Sequence, residues 1–278
     1  MRKPVLVGVD GSARSRAAAD WAACAALSRG LPLRIVHVSP VDEAAQAHLW
    51  PCRRVPLPEG VVAEVAARHP EAELTGVRLS GPTVPALLAH AAAAELVVLG
   101  TRGAGGFAGL ALGSTALAVA EHCTRPVALV PSGLACQGTG PRPHPVTLGV
   151  DARRPDEAAI DFAFHAAERR GARMRAIHAW ALPSPTAEWM PFAVPEQDRG
   201  RWEDREVQLL ADALRPWRDK YPDVPVLQDA VLFSPAQALV RASRRTELMV
   251  VGRSGTTLGP AVDALAHHMG SPVVVVPS

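Results

Sequence analysis

Short apolar runs alternate with helical stretches along the first half of the chain. Each run is rich in Val, Leu or Ile, the composition typical of buried strands. The runs occupy residues 4–10, 32–39, 73–79, 96–99 and 127–130. Between the first two, alanines and Trp21 recur at the spacing of one helical stripe. Strands that alternate with helices predict βαβ units around a parallel sheet.

Capping signals place the ends of the predicted helices. Ser12 is a candidate N-cap for a helix over residues 13–29, and Gly30 is the residue expected just past its end. An irregular stretch over 40–58 contains several prolines. A later helix is predicted over 82–94, where a proline fits the first turn because its missing N–H has no intrahelical partner to lose.

The same pattern returns in the second half of the chain. Thr147–Asp151 repeats Leu6–Asp10, and Glu247–Gly252 repeats Glu95–Gly100. The chain is therefore predicted to be an internal duplication of one βαβ domain. The predicted parts are a first domain over 1–132, a linker rich in Gly and Pro over 133–145, and a second domain over 146–278.

Two further patterns concern the interior of the copies. His37 and His178 occupy the same position in the second strand of each copy, and we expect them to be packed core side chains rather than catalytic groups. The second copy also predicts a helix with one apolar face. That face consists of Val207, Leu210, Leu214 and Trp217.

Composition and charge exclude several classes of function. The formal net charge is only +2, and the arginines are scattered, which argues against a nucleic-acid-binding surface. No apolar run approaches the roughly 18 residues of a membrane span. The cysteines form no CxxC pair, so we expect no zinc or other metal site and interpret them as thiols of a cytoplasmic protein. They are Cys24, Cys52, Cys123 and Cys136.

A glycine-rich loop follows the fourth predicted strand. The strand ends at Gly100, and the loop leads through Gly113, Ser114 and Thr115 into a helix. Because free N–H groups and the helix dipole favour negative charge at a helix N-terminus, we interpret the loop as a phosphate cradle. A Walker A loop is excluded because no lysine is nearby, and a dinucleotide-binding GxGxxG would follow the first strand. If the first and fourth strands flank a switch point, Asp10 and Gly100 face one crevice.

The spacing Gly100-x2-Gly103-x9-Gly113-Ser114 resembles the ATP-binding loop of the universal stress protein family. Val7–Ser12 resembles the first strand and turn of that family, and the likeness extends over both copies. The resemblance implies two tandem open parallel five-stranded α/β sheets, each in the order 3-2-1-4-5 with helices on both faces. It also implies that domains pair through their last strands, here inside the chain as a pseudo-dimer, with a homodimer as a further option.

The same resemblance implies a site for an adenine nucleotide, ATP alone or with Mg²⁺. Asp10 would lie by the ribose and adenine, the glycines would admit the ribose and phosphates, and Arg102 would approach a phosphate. The implied residues are Val9, Asp10, Gly11, Ser12, Val38, Gly100, Arg102, Gly103, Gly113, Ser114 and Thr115. No catalytic residue is assigned, because no general base is evident beside the γ-phosphate, and slow hydrolysis is the most we expect.

The second copy departs from this pattern. Gly259 and Pro260 fall opposite Gly113 and Ser114, and six loop residues are missing. Pro260 has neither a hydroxyl nor an N–H. We therefore expect the second copy to bind ATP weakly or not at all.

The resemblance implies a nucleotide-dependent stress or regulatory protein, and two other functions stay open. One is a nucleotide-dependent enzyme of a related α/β fold, such as an ATP pyrophosphatase-type ligase, although Val9–Ala13 lacks the SGGxDS-like loop of those enzymes. The other is a ligand-free interaction module. A phosphoacceptor receiver is disfavoured because its acidic cluster and lysine are absent. The sequence identifies no protein partner.

Overall fold

The structure, a computed structural model, describes residues 2–39, 58–101, 112–131, 144–182 and 196–278. Contacts divide the chain into two compact units. The first comprises Met1–Gly140 with Pro272–Pro277, and the second comprises Pro141–Ser271 with Ser278. The domain boundaries at residues 132 and 145 stay predictions, because residues 132–143 lie outside the described part.

Strands and helices alternate through the first unit, as the apolar pattern predicts. Its elements in chain order are β1 (Val5–Gly8), α1 (Ala13–Arg29), β2 (Leu33–Ser39), α2 (Glu59–Arg68), β3 (Leu74–Ser80), α3 (Thr83–Ala91), β4 (Leu96–Gly100), α4 (Ser114–His122) and β5 (Val127–Val130). Gly30 ends α1 in the left-handed conformation at φ +61°, so its predicted role just past that helix is confirmed.

The second unit repeats this alternation. Its elements are β6 (Val146–Gly149), α5 (Glu157–Arg170), β7 (Met174–Trp180), α6 (Glu196–Lys220), β8 (Val226–Leu232), α7 (Pro235–Ser243), β9 (Leu248–Arg253) and α8 (Pro260–His268). The last strand of the chain, β10 (Val273–Pro277), groups with the first unit.

The strand order of the first unit is the predicted one. Its strands run β3-β2-β1-β4-β5, and every pair within this series is parallel. β10 follows β5 in antiparallel pairing, with Val274 opposite Ala128. Exposed apolar edges are usually covered or paired, and β10 covers the edge of β5 here. The second unit has the order β8-β7-β6-β9, again with parallel pairs.

The core is built on strands that are buried on both faces. Leu96 to Leu99 of β4 are each 5% exposed or less, and all four residues of β5 are buried. Successive residues of a strand point to opposite faces, so both faces of this sheet are covered, as expected of a parallel α/β fold. Small alanines on α1 let that helix lie close to the sheet.

The switch point of the first sheet lies between β1 and β4. From β1, the chain first builds outwards through β2 and β3 and then returns to place β4 on the other side. The carboxyl ends of β1 and β4 therefore flank a crevice, which is where ligands bind in open α/β sheets.

Two cysteines lie within the described residues, and they differ. Cys123 is a buried thiol that forms no disulfide, as expected. Cys24 on α1 is disulfide-bonded, so the expectation that it is a thiol was wrong. Sequence spacing did not reveal this bond, since a disulfide depends on which segments the fold brings together. None of the described helices has the length and apolarity needed to cross a membrane.

Candidate functional site

A cavity of about 200 Å³ opens at the carboxyl edge of the first sheet. Its wall is formed by the ends of β1, β2 and β4 and by the first turns of α1, α3 and α4. The lining residues are Gly8, Val9, Asp10, Ser15, Val36, Val38, Thr83, Leu87, Leu99, Gly100, Thr115 and Ala116. The cavity thus lies at the switch point where the topology places a ligand site.

Five of the residues predicted from the sequence line this cavity. They are Val9, Asp10, Val38, Gly100 and Thr115. They come from the first, second and fourth βα connections, which are far apart in the chain and meet here because the strands are parallel. The fold therefore brings together Asp10, Gly100 and Thr115, which the switch-point and loop arguments single out, with Val9 and Val38, which the resemblance alone assigns to the site.

The other predicted residues have different positions. Gly11 and Ser12 lie in the turn after β1, and Gly113 and Ser114 lie at the start of α4, all outside the cavity lining. Arg102 and Gly103 lie outside the described residues. Their predicted contacts with phosphate stay predictions.

The turn after β1 is fixed by a set of local hydrogen bonds. Asp10 Oδ1 accepts from the Ser12 N–H at 3.0 Å, and Ser12 Oγ accepts from the Ser15 N–H at 3.1 Å. The second bond confirms Ser12 as the N-cap of α1. Ser15 Oγ in turn accepts from the Asp10 N–H at 3.3 Å and donates to the Ser12 carbonyl at 3.0 Å. The turn needs Gly11, whose φ is +82°. These bonds hold Asp10 at the cavity rim.

α4 begins without a side-chain cap. Gly113 is its N-cap residue, and no side chain accepts from the first turn of the helix. The N–H groups of Ser114, Thr115 and Ala116 are consequently available to an anion. The hydroxyl of Thr115 makes no hydrogen bond with any of the described residues, and Thr115 lines the cavity.

Seven lining residues were not among the predicted site residues, namely Gly8, Ser15, Val36, Thr83, Leu87, Leu99 and Ala116. Ser15 reinforces the turn described above, while Thr83 and Leu87 belong to the first half of α3. One signal could have found Thr83. In a βαβ unit, each helix after a strand starts at the carboxyl edge of the sheet, so a hydroxyl in the first turn of α3 is expected near that edge.

Comparison with known proteins decides the family. The model of the universal stress protein family matches residues 1–131 and 143–277. One universal stress protein of Mycobacterium tuberculosis is 35% identical over 300 residues, which cover 98% of this chain and 96% of the relative. A second one is 32% identical over 313 residues, covering 98% and 94%. The chain belongs to the universal stress protein family.

A solved universal stress protein from Archaeoglobus fulgidus has the same fold. It superposes with a TM-score of 0.65 over 99% of this chain and 98% of its own, at 15% sequence identity. The tandem arrangement predicted from the internal repeat therefore agrees with the full-length match to these family members.

In this universal stress protein, the second unit differs from the first where its first helix starts. α1 begins five residues after β1 ends, whereas α5 begins eight residues after β6 ends. Pro155 lies in the added loop, and Asp156 caps α5 by accepting from the Ala159 N–H at 3.0 Å. The late start of α5 leaves a cavity of about 580 Å³.

This second cavity is not the counterpart of the first. No described residue of β7, α7 or α8 lines it, whereas β2, α3 and α4 all line the cavity of the first unit. At the corresponding place, Leu239 of α7 lies so close to β6 that a Cβ added to Gly149 would be 2.6 Å from its Cδ2 atom. An added Cβ on Gly8 would be 2.7 Å from Leu99 Cδ2 and 3.5 Å from Leu87 Cδ2. Leu239 therefore packs closer to β6 than Leu87 packs to β1.

A carboxylate also occupies the floor of the second crevice. A Cβ added to Gly252 would lie 2.6 Å from Asp156 Oδ2, while one added to Gly100 would meet the backbone of Arg14 and Ser15. Asp156 thus stands in the second unit where Ser15 stands in the first. Its Oδ2 atom accepts from Ser278 Oγ at 2.6 Å. A fixed negative charge here disfavours a phosphate group.

Of the two repeated histidines, His178 is a core side chain, as expected, whereas His37 is only partly buried, and their partners differ. His37 Nδ1 lies 2.9 Å from the Val9 carbonyl oxygen. His178 is 1% exposed, and its Nδ1 accepts from the Ala152 N–H at 3.2 Å. Its Nε2 contacts Glu206 Oε2 at 3.0 Å. This pattern makes His178 a structural anchor for the loop after β6.

Leu210 and Leu214 of the predicted apolar face of α6 are fully buried as expected, but Glu206 beside them was missed. Glu206 on α6 is fully buried and is bound by both His178 and Arg153. Val207 was expected on the buried stripe but is 45% exposed. The ion pair and hydrogen bonds of Glu206 outweigh the burial of one valine, so the helix turns its glutamate inward.

Proposed function

We propose that this chain is a cytoplasmic, ATP-binding regulatory protein whose first unit holds the nucleotide. The observation that carries the proposal is the convergence of Val9, Asp10, Val38, Gly100 and Thr115 on one cavity at the switch point. Nucleotide occupancy would alter contacts with protein partners.

The chemistry of the cavity suits an adenine nucleotide. One end is apolar, with Val36, Val38 and Leu87 as walls for a base. The other end meets the uncapped start of α4, whose free N–H groups suit phosphate. Ser114 and Thr115 would supply hydroxyl donors, and Arg102 and Gly103 would complete the phosphate contacts. Mg²⁺ would be carried by the nucleotide rather than by the protein.

The proposal includes an asymmetry between the units. In the second unit, Leu239 packs closer to β6 than Leu87 packs to β1, and Asp156 places a carboxylate beside Gly252. α8 also starts at Pro260, which lacks the N–H that Ser114 offers. We therefore assign the second unit a weak or absent nucleotide site and a role as a structural partner.

The pairing of β10 with β5 supports one further part of the proposal. It supplies the covered edge that an intramolecular pseudo-dimer through the last strands requires. At most slow ATP hydrolysis accompanies binding, and an adenine-nucleotide-dependent enzyme is the competing function.

Calorimetric titration of ATP into the intact protein tests the proposal. We expect about one ATP per chain and strong weakening of binding by Asp10→Ala and by Gly113→Val. Asp151→Ala is the matched control, because Asp151 accepts from the Arg153 N–H just as Asp10 accepts from the Ser12 N–H. This control is expected to leave ATP binding unchanged.

Three outcomes contradict the proposal. A folded protein that binds no ATP and contains no adenine nucleotide after denaturation removes the proposed function. Binding of two ATP per chain would contradict only the proposed asymmetry between the two units. Multiple turnovers per second of ATP consumption favour the competing enzyme.

A further inference from the structure

We propose that Thr83 recognises the amino edge of the adenine base and thereby sets base specificity; this inference rests on the proposed function. Thr83 is the first residue of α3 and lines the cavity of the first unit. Its hydroxyl makes no hydrogen bond within the described part of the chain. An unpartnered hydroxyl on a cavity wall is able to accept a hydrogen bond from a ligand.

The orientation of the ligand follows from the two ends of the cavity. Thr115 and the first turn of α4 offer consecutive N–H groups without a side-chain cap, so the phosphates lie at that end. The base consequently lies at the other end, between the walls formed by Val36, Val38 and Leu87. Thr83 is the polar side chain among these apolar neighbours.

α3 is the weaker anion site of the two helices. Its first three residues are Thr83, Val84 and Pro85, and the proline has no N–H. The first three residues of α4 all carry an N–H group. Phosphate is therefore better satisfied at α4, and the Thr83 hydroxyl is left for the base.

The second unit lacks this recognition element. Its α7 starts with Pro235 at the position of Thr83, and its first turn is closed by Ser234 Oγ, which accepts from the Gln237 N–H at 3.4 Å. Ala261 takes the position of Thr115 as the second residue of α8. Both unpartnered hydroxyls of the first cavity are thus absent from the second unit at matching positions.

The test crosses two isosteric substitutions with ligands that differ at either end. The ligands are ATP, adenosine, purine riboside and purine riboside triphosphate, of which the last two lack the 6-amino group. Each is titrated into the intact wild-type protein, Thr83→Val and Thr115→Val. A neutral hydrogen bond corresponds to roughly a two- to ten-fold change in affinity. We expect Thr83→Val to lower the affinity for ATP and for adenosine by that factor. The affinity for both purine riboside ligands is expected to stay unchanged.

Thr115→Val is expected to show the opposite selectivity, with weaker ATP binding and unchanged adenosine binding. Thr75→Val, on the exposed side of β3, controls for the loss of any threonine hydroxyl and is expected to change neither affinity. Circular dichroism of each variant establishes that the fold is intact.

The outcomes separate this inference from the proposed function. If the wild-type protein binds neither ATP nor adenosine, the proposed function fails and this inference fails with it. If the wild-type protein binds both but Thr83→Val changes no affinity, or weakens purine riboside equally, only the assignment of Thr83 is overturned. If Thr83→Val weakens the binding of ATP but not of adenosine, Thr83 lies at the phosphates, and its assignment to the base is overturned as well.

Discussion

Gly100 and Arg14 are in close backbone contact at the floor of the first cavity. A Cβ added to Gly100 would lie 3.1 Å from the Arg14 carbonyl oxygen and 3.4 Å from the Ser15 N atom. These atoms belong to the first turn of α1 and have no flexible side chain with which to yield. We expect Gly100→Ala to displace that turn and to weaken ATP binding at least ten-fold, as measured by calorimetry.

Two glycines of the second unit provide controls for Gly100→Ala. Gly259 has nothing within 4 Å of an added Cβ, so Gly259→Ala is expected to leave both stability and ATP affinity unchanged. Gly252→Ala would push on the Asp156 side chain instead of backbone, so it is expected to lower stability without changing ATP affinity. Equal ATP affinity of Gly100→Ala and the wild-type protein would contradict the close packing described here.

Asp20 connects α1 to the end of α2 through its side chain. We expect it to make a pH-dependent contribution to stability. Its Oδ1 atom lies 2.9 Å from His69 Nε2 and accepts from Arg68 Nε at 2.7 Å. Burial raises the pKa of Asp20, but the hydrogen bonds from His69 and Arg68 outweigh it, so the net pKa is lowered. We expect Asp20→Asn to reduce the free energy of unfolding at pH 7 by about 1 kcal/mol.

The sign of the pH dependence follows from the lowered pKa. The carboxylate stabilises the fold fully above the unfolded pKa of about 3.9, and this contribution is lost as pH falls through the lower folded value. The difference between wild-type and Asp20→Asn proteins is therefore expected to shrink below about pH 4. Urea unfolding at pH 3 to 7 measures it, and a difference that does not change with pH would contradict the assignment.

The second repeat offers a matched test of the same helix contact. Asp161 of α5 accepts from Tyr221 OH at 3.1 Å and from Lys220 Nζ. Tyr221 occupies the position equivalent to His69, and Lys220 occupies the position equivalent to Arg68. Asp161 and Lys220 are more exposed than Asp20, with side-chain exposures of 44% and 57% against 19%. Because exposed ion pairs contribute less, Asp161→Asn is expected to destabilise less than Asp20→Asn in the same urea titration.

Removal of Glu206 is expected to have the largest effect of these substitutions. Glu206→Ala leaves His178 buried without its partner and releases Arg153, so we expect a loss of about 3 kcal/mol in the transition of the second unit. Glu206→Gln keeps an oxygen acceptor and is expected to lose less. Val207→Ala, one residue away and exposed, is the control with little expected change. Chemical denaturation followed by tryptophan fluorescence measures all three.

The N-cap residues of the first helix in each unit are expected to differ in their effect on ATP binding. Ser12 Oγ and Asp156 Oδ1 each accept from an N–H in the first turn of their helix. Loss of either cap by substitution with alanine is expected to cost about 1 kcal/mol of unfolding free energy. Only Ser12→Ala, which also loosens the turn that holds Asp10, is expected to weaken ATP binding. Equal effects of the two variants on ATP binding would contradict the assigned asymmetry.

Most of the fold is readable from the sequence because its signals are local. The apolar runs predict the strands, and α1 has the predicted bounds of 13 and 29 because Ser12 and Gly30 mark both ends. The strand order came from the family resemblance instead, since a parallel sheet of five strands is compatible with several orders. The switch-point argument placed Asp10 and Gly100 at one crevice, and the resemblance added Val38 to them.

What the sequence did not reveal depends on contacts between distant residues. Glu206 faces inward because His178 and Arg153 meet it there, and helical periodicity alone favours Val207. The late start of α5 depends on Pro155 and on the Asp156 cap. A gap-free alignment of the two repeats conceals this late start. Thr83 looks like an ordinary helix residue until the packing of α3 places it on the cavity wall.

The pairing of β5 with β10 has a consequence for synthesis on the ribosome. β5 is complete at Val130, whereas its antiparallel neighbour begins at Val273. At typical elongation rates of roughly 5–20 residues per second, the apolar edge of β5 waits on the order of ten seconds for its partner. During that interval a neighbouring nascent chain on the same messenger RNA presents the same edge. Until β10 is made, the edge of β5 is therefore open to pairing with such a chain.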